Sequence, residues 1–161
     1  MRNRYQAVVV VLIVSLLFAC WGKKSDTVLP EKKVIKPSPT KVVQELLRAW
    51  QKEDFEKAYG YVYVPYTDKD GYVIQMKNYF KDNQIAIHEF RVLGTQVFDR
   101  TAMVVVELKQ SLKSPNTGSV VELTQKSQYE LGIFDDKWKV TAGNCIANCL
   151  ETEHPIGGPS K

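Results

Sequence analysis

The sequence predicts an α+β fold, with helices first and a meander of antiparallel strands after them. Three observations carry this. Val42, Val43, Leu46, Leu47 and Trp50 recur at helical spacing. Val104, Val106 and Leu108 alternate with Val105, Glu107 and Lys109, the two-residue period of a half-buried strand. Turn signals then punctuate the second half at Asp99-Arg100, Pro115-Asn116-Thr117-Gly118 and Asp135-Asp136.

Each element has its own local warrant. Ser38-Pro39 supplies an N-cap and a helix-compatible proline for the first helix. Asp54 caps a second helix in which Phe55, Ala58 and Tyr59 face inward, and Pro65 blocks its continuation, so 61–66 is expected to be extended. Gly71 opens a third helical stretch, with Tyr72, Met76, Tyr79 and Phe80 at compatible spacing. The strands are expected over Ile85–Phe98, Thr101–Lys113, a return through Val121, Leu123, Tyr129, Leu131 and Ile133, and Lys137–Thr141, where Trp138 and Val140 share a face. The domain runs over 38–150, a normal size for a single core. The stretch 151–161, with Pro155, Gly157, Gly158 and Pro159, reads as a disordered tail.

The run Val43-x-x-Leu46-Leu47-x-Ala49-Trp50, then Asp54-Phe55-x-x-Ala58-Tyr59, then Asp136-Lys137-Trp138-Lys139-Val140 resembles the nuclear transport factor two-like superfamily, over about Pro39 to Ala142. It is most similar to small bacterial lipoproteins of that group. The resemblance implies helices on a curved four-stranded antiparallel sheet, a cone with a cavity at its open end. The superfamily is functionally diverse, so the fold does not name a reaction.

The N-terminus points to a compartment. Arg2 and Arg4 precede an apolar run, Ala7 to Ala19, shorter than a bilayer span. It closes on Leu17-Phe18-Ala19-Cys20, which resembles the lipobox of bacterial lipoproteins, although Phe18 is larger than usual there. The resemblance implies a signal peptide over 1–20, diacylglyceryl attachment at Cys20 and two or three acyl chains, enough for lasting membrane attachment. An uncleaved anchor is disfavoured by length and by Trp21-Gly22-Lys23-Lys24 directly after the run. Residues 21–37 read as a flexible tether, reaching about 55 Å at full stretch. The localisation implied is a bacterial cell membrane or outer membrane, facing periplasm or exterior, with Trp21 and the cysteine pair leaning toward the outer membrane. Loss of Arg2 and Arg4 takes the formal charge from +4 to about +2. No basic block suited to nucleic acid is present.

With Cys20 lipidated, Cys145 and Cys149 remain. Their export favours a disulfide, which at C-x₃-C spacing needs a looped backbone around 144–148. The spacing is not that of a C-x-x-C redox pair, and zinc would need two further ligands, of which only His154 is near. Asp68-Lys69-Asp70-Gly71 mimics the middle of a calcium loop, but the register puts Tyr66 first and Lys77 last, where oxygens are required; a turn and helix cap is the plainer reading. His88 is the one histidine of the core region, a candidate acid–base or pocket residue set against a merely structural or surface role. Among eight tyrosines and three tryptophans, Trp50, Tyr59, Tyr79 and Tyr129 are the candidate pocket lining, set against a plain core role. No phosphate loop, nucleophile elbow or zinc-protease motif occurs.

The reading is therefore a membrane-anchored envelope module that is not an enzyme and needs no cofactor. It would bind an envelope protein or a small apolar ligand, with Met103, Val105 and Val120 on the outer sheet face open to a homodimer. The alternative is a small pocket enzyme of isomerase or dehydratase type, which requires His88 or a carboxylate in the cavity.

Overall fold

The computed structural model describes residues 37–149. The signal peptide, Cys20, all of the tether but its last residue, and the 151–161 tail lie outside the described residues. Three helices, α1 (Pro39–Gln51), α2 (Phe55–Tyr59) and α3 (Lys69–Asp82), precede four strands, β1 (Ala86–Phe98), β2 (Thr101–Lys113), β3 (Val120–Phe134) and β4 (Lys137–Ala147). The strands form one antiparallel sheet in the order β1-β2-β3-β4.

Local chemistry starts and stops each helix. The Ser38 hydroxyl accepts from the Lys41 N–H and Pro39 occupies the first turn of α1. Its apolar stripe, Val42, Val43, Leu46, Leu47 and Trp50, is buried, and Glu45 on the other side pairs with Lys41 at 2.9 Å and Arg48 at 2.8 Å. Asp54 Oδ1 caps α2 through the Lys57 N–H at 3.0 Å. Asp68 Oδ1 caps α3 through the Gly71 N–H at 2.8 Å, so Asp68-Lys69-Asp70-Gly71 is a helix start. A Cβ at Gly71 would lie 2.2 Å from Thr67 Oγ1, which is why the cap carries glycine there. Between α2 and α3 the chain is extended where Tyr63 N–H donates to the Val140 carbonyl and Val140 N–H to the Tyr61 carbonyl, each at 2.8 Å. This short parallel bridge covers part of the free edge of β4.

The sheet carries the sidedness. Every even residue from Ala102 to Leu112 is buried, and β2 pairs with β3 without interruption from Thr101↔Gly132 to Lys113↔Val120. Register shifts fall only on the outer ladders, at Ile87/Glu89 and Val92/Gly94 on one side and Lys126/Ser127 and Glu130/Leu131 on the other. Such irregularities bend a sheet and raise its twist, and here they curl it around α1. Ala102, Val104, Val106, Leu131 and Val140 meet the apolar stripe of α1 in one core. Met103 and Val105 are half-buried on the outer face, and Val120 is exposed.

β4 is longer than its sequence suggests, ending at Ala147 rather than Thr141. Ala142, Gly143 and Asn144 are poor strand formers, but pairing of Gly143 with Tyr129 and Cys145 with Ser127 holds them extended. The bend needed for C-x₃-C therefore comes late. Asn148, at φ +58°, turns the chain so that Cys145 and Cys149, with Cα atoms 5.7 Å apart, are joined by a disulfide.

Two stability predictions follow from this packing. Leu46→Ala, at a fully buried position, should cost about 3 kcal/mol in denaturant unfolding, whereas Lys41→Ala on the exposed face should cost less than about 1 kcal/mol. Reduction of the disulfide, or Cys145→Ser with Cys149→Ser, should lower unfolding free energy by about 2 kcal/mol, as expected for so short a loop. An unchanged denaturation midpoint would exclude it as a stabilising link.

Candidate functional site

The long strands outrun the helix that covers them. α1 packs on β1, β2 and β4, where Ala102, Val104 and Val106 fill the space beneath it. Beyond Trp50, near the end of α1, the concave face continues through Leu108, Gln110 and Leu112 on β2 and Gln125 and Ser127 on β3. α3 and the 62–66 segment wall this part without filling it. The result is a cavity of about 600 Å³, within the range that holds small organic ligands.

Its walls are aromatic and aliphatic. Trp50 lies between Phe80 and Tyr129, with ring centroids at 6.4 and 6.5 Å. Tyr72, Met76, Tyr79 and Phe80 come from α3, Val62, Tyr63, Val64 and Tyr66 from the preceding segment, and Val140 from β4. Tyr66, Gln75, Tyr79, Asn144 and Cys149 are exposed members of the lining, and Cys145 is half-buried beside them, so the disulfide forms part of the cavity wall.

The polar groups of the lining are neutral. Gln110, Gln125 and Ser127 are buried on the inward phase of β2 and β3, and Gln125 Nε2 donates to Ser127 Oγ at 3.2 Å. Trp50 Nε1 donates to Tyr72 Oη at 3.2 Å. Burial pushes the Tyr72 phenol up to about 12, only partly opposed by the Trp50 hydrogen bond, so it stays protonated at any physiological pH. Among the described residues lining the cavity there is no Asp, Glu, His, Lys or Arg.

The structure brings together three of the five pocket residues picked out in the sequence. Trp50, Tyr79 and Tyr129 line the cavity. Tyr59 does not: α2 is a single turn that buries Phe55 and Ala58, leaving Tyr59 half-buried against the outside of Tyr72 at 5.5 Å. His88 does not either. It follows Ile87, whose side chain lines the cavity, and sits at the register shift between Ile87 and Glu89, outside the lining. There it is exposed, with Nε2 2.5 Å from Ser111 Oγ.

Gln110, Gln125 and Ser127 were not singled out from the sequence. The signal was present: each occupies the buried phase of a strand whose other members at that phase are apolar. Among the described residues no group of three or more His, Cys, Asp and Glu could hold a metal ion, and no helix is long and apolar enough to cross a membrane.

No family model and no curated protein matches the chain. Solved structures do. A SEC-C motif containing protein from Rhodopseudomonas palustris aligns at TM-score 0.51 and 15% identity, over 68% of this chain and 79% of that one. A ketosteroid isomerase-like protein from Erwinia carotovora atroseptica aligns at TM-score 0.50 and 14% identity, over 74% and 98%. A nuclear transport factor two-like protein of unknown function from Shewanella oneidensis aligns at TM-score 0.46 and 15% identity, over 66% and 93%. At such identities the likeness speaks to architecture and not to chemistry. The chain shares the α+β architecture of the ketosteroid isomerase-like protein, three helices followed by a curved four-stranded antiparallel sheet.

Proposed function

We propose that this chain is a lipid-anchored envelope protein whose cone binds a small, uncharged, largely apolar ligand without chemically altering it. The observation that carries the binding reading is the cavity of about 600 Å³ lined by aromatic, aliphatic and neutral polar side chains. Apolar walls with a few placed polar groups are the usual composition of a small-molecule site. The anchoring half of the reading is supported by Leu17-Phe18-Ala19-Cys20 at the end of a short apolar run.

The non-enzymatic part is supported by proton chemistry. Isomerisation or dehydration needs a base that titrates near the working pH, within hydrogen-bond reach of the substrate. His88 lies outside the lining, and Tyr72, at about 12, holds its proton too tightly to serve as that base. The same neutrality makes ligand binding independent of pH.

Two experiments test this. With the full-length protein, the neutral dye Nile red should bind with enhanced emission, and Leu112→Trp, which fills the cavity from β2, should weaken binding at least about tenfold. Affinity should stay flat between about pH 5 and pH 9, because the described lining holds no Asp, Glu, His, Lys or Arg. Undiminished binding by Leu112→Trp would rule the cavity out as the site. In the producing bacterium, labelled palmitate should enter the wild-type chain and not Cys20→Ser; equal labelling, or none, would remove the anchor.

A further inference from the structure

The cavity wall contains one covalent bond that chemistry can open and close. Cys145 pairs with Ser127 across the β3–β4 ladder, and residues directly opposite share a face of the sheet. Ser127 is buried in the lining, so Cys145 stands on the concave side next to it. Four residues of continued strand would carry Cys149 about 13 Å away along β4. Asn148, at φ +58°, turns the chain back instead, and the two Cα atoms lie 5.7 Å apart. Both cysteines thereby join the lining.

Little else keeps Cys149 in the wall. β4 ends at Ala147, so neither Asn148 nor Cys149 belongs to the ladder. Besides the disulfide, one hydrogen bond among the described residues holds these two, Asn148 Nδ2 donating to the Thr124 carbonyl at 3.2 Å on the exposed side. An exposed hydrogen bond competes with water and contributes little. Without the sulfur–sulfur bond, nothing of comparable strength returns the chain to the concave face. The bond is also reachable, because Cys149 is exposed and Cys145 half-buried. Disulfides open to solvent are the ones that exchange with thiols most readily.

We propose that the Cys145–Cys149 disulfide is a redox-operated closure of the cavity, retaining a ligand when formed and releasing it when reduced. This rests on the binding reading above and adds control to it. The reductant is a dithiol. One of its thiolates attacks the exposed Sγ of Cys149, the sulfur–sulfur bond breaks, and Cys145 leaves as a thiolate that takes up a proton. The second thiol of the reductant then attacks the mixed disulfide and frees Cys149, which takes up the other proton. Two electrons and two protons pass to the protein, and the dithiol departs as its own disulfide. Cys149 then leaves the wall, and the cavity opens beside Ser127.

The test uses the full-length chain carrying Cys20→Ser, in which Cys145 and Cys149 are the only cysteines. Nile red is loaded, and its release is followed by stopped-flow dilution. Reduction with dithiothreitol should speed release at least about tenfold and weaken affinity about three- to tenfold, and reoxidation should restore both. Cys149→Ala should release at the fast rate whether or not dithiothreitol is present. Leu46→Ala, which weakens the core elsewhere, should keep the slow rate and the response to dithiothreitol. The near-ultraviolet circular dichroism of the reduced protein should keep the native aromatic signal, which separates opening of the wall from unfolding. Equal release rates in the two redox states, with Leu112→Trp still weakening binding, would overturn the closure and leave the binding site standing. Loss of the native aromatic signal on reduction would overturn the closure too. Undiminished binding by Leu112→Trp, or no binding of Nile red at all, would overturn both readings.

Discussion

The inward phase of the β2–β3 ladder is the constraint on which the rest of this structure depends. Side chains alternate across a strand, so a slip of one residue would exchange the two faces of the sheet entirely. The uninterrupted pairing from Thr101↔Gly132 to Lys113↔Val120 places Val104, Val106, Leu131 and Tyr129 on one face with Gln110, Gln125 and Ser127. Half of that face is apolar and packs under α1. The other half is mixed, and there the cavity lies. The same ladder thus supplies both the core and the site.

Trp50 joins those two halves. It belongs to the buried stripe of α1, yet it also faces Phe80 and Tyr129 across the cavity and holds the Tyr72 hydroxyl. An indole is large enough to close a core and, through its N–H, to orient a polar neighbour. Its substitution would loosen the packing of α1 and release Tyr72 together, so stability and binding cannot be separated at this residue. Leu112 and Ser127 offer cleaner separation, because they line the cavity and have no part in the hydrogen bond between Trp50 and Tyr72.

Charge is partitioned just as strictly. The ion pairs Arg91–Glu107 and Lys109–Glu122, each at 2.8 Å, sit on the exposed side of β1, β2 and β3. Pairs so open to water contribute little to stability. Their consequence is to leave the concave face uncharged, since strand alternation offers every ionisable residue of β2 the solvent side. His88 also lies outside the cavity, at the register shift between Ile87 and Glu89, whereas Phe90 and Val92 beyond the shift pack against the core.

The sequence by itself determined the elements and their order. Helical spacing of Val42 to Trp50, capping at Ser38, Asp54 and Asp68, and alternation along β2 are local properties of the chain, and local physics is enough to read them. It also held the clue to the polar floor, because Gln110, Gln125 and Ser127 stand at the buried phase of their strands, although that clue has meaning only once the register is known. What the tertiary structure alone decided was convergence. β4 extends to Ala147 because β3 pairs with it, against the propensity of Ala142 to Asn144. Tyr59 fell outside the cavity although its ring lies 5.5 Å from that of Tyr72, which lines it. Residues far apart in the chain, such as Trp50 and Tyr129, became neighbours only when the bulged sheet curled. That curvature arises from pairing between strands, and no single segment carries it.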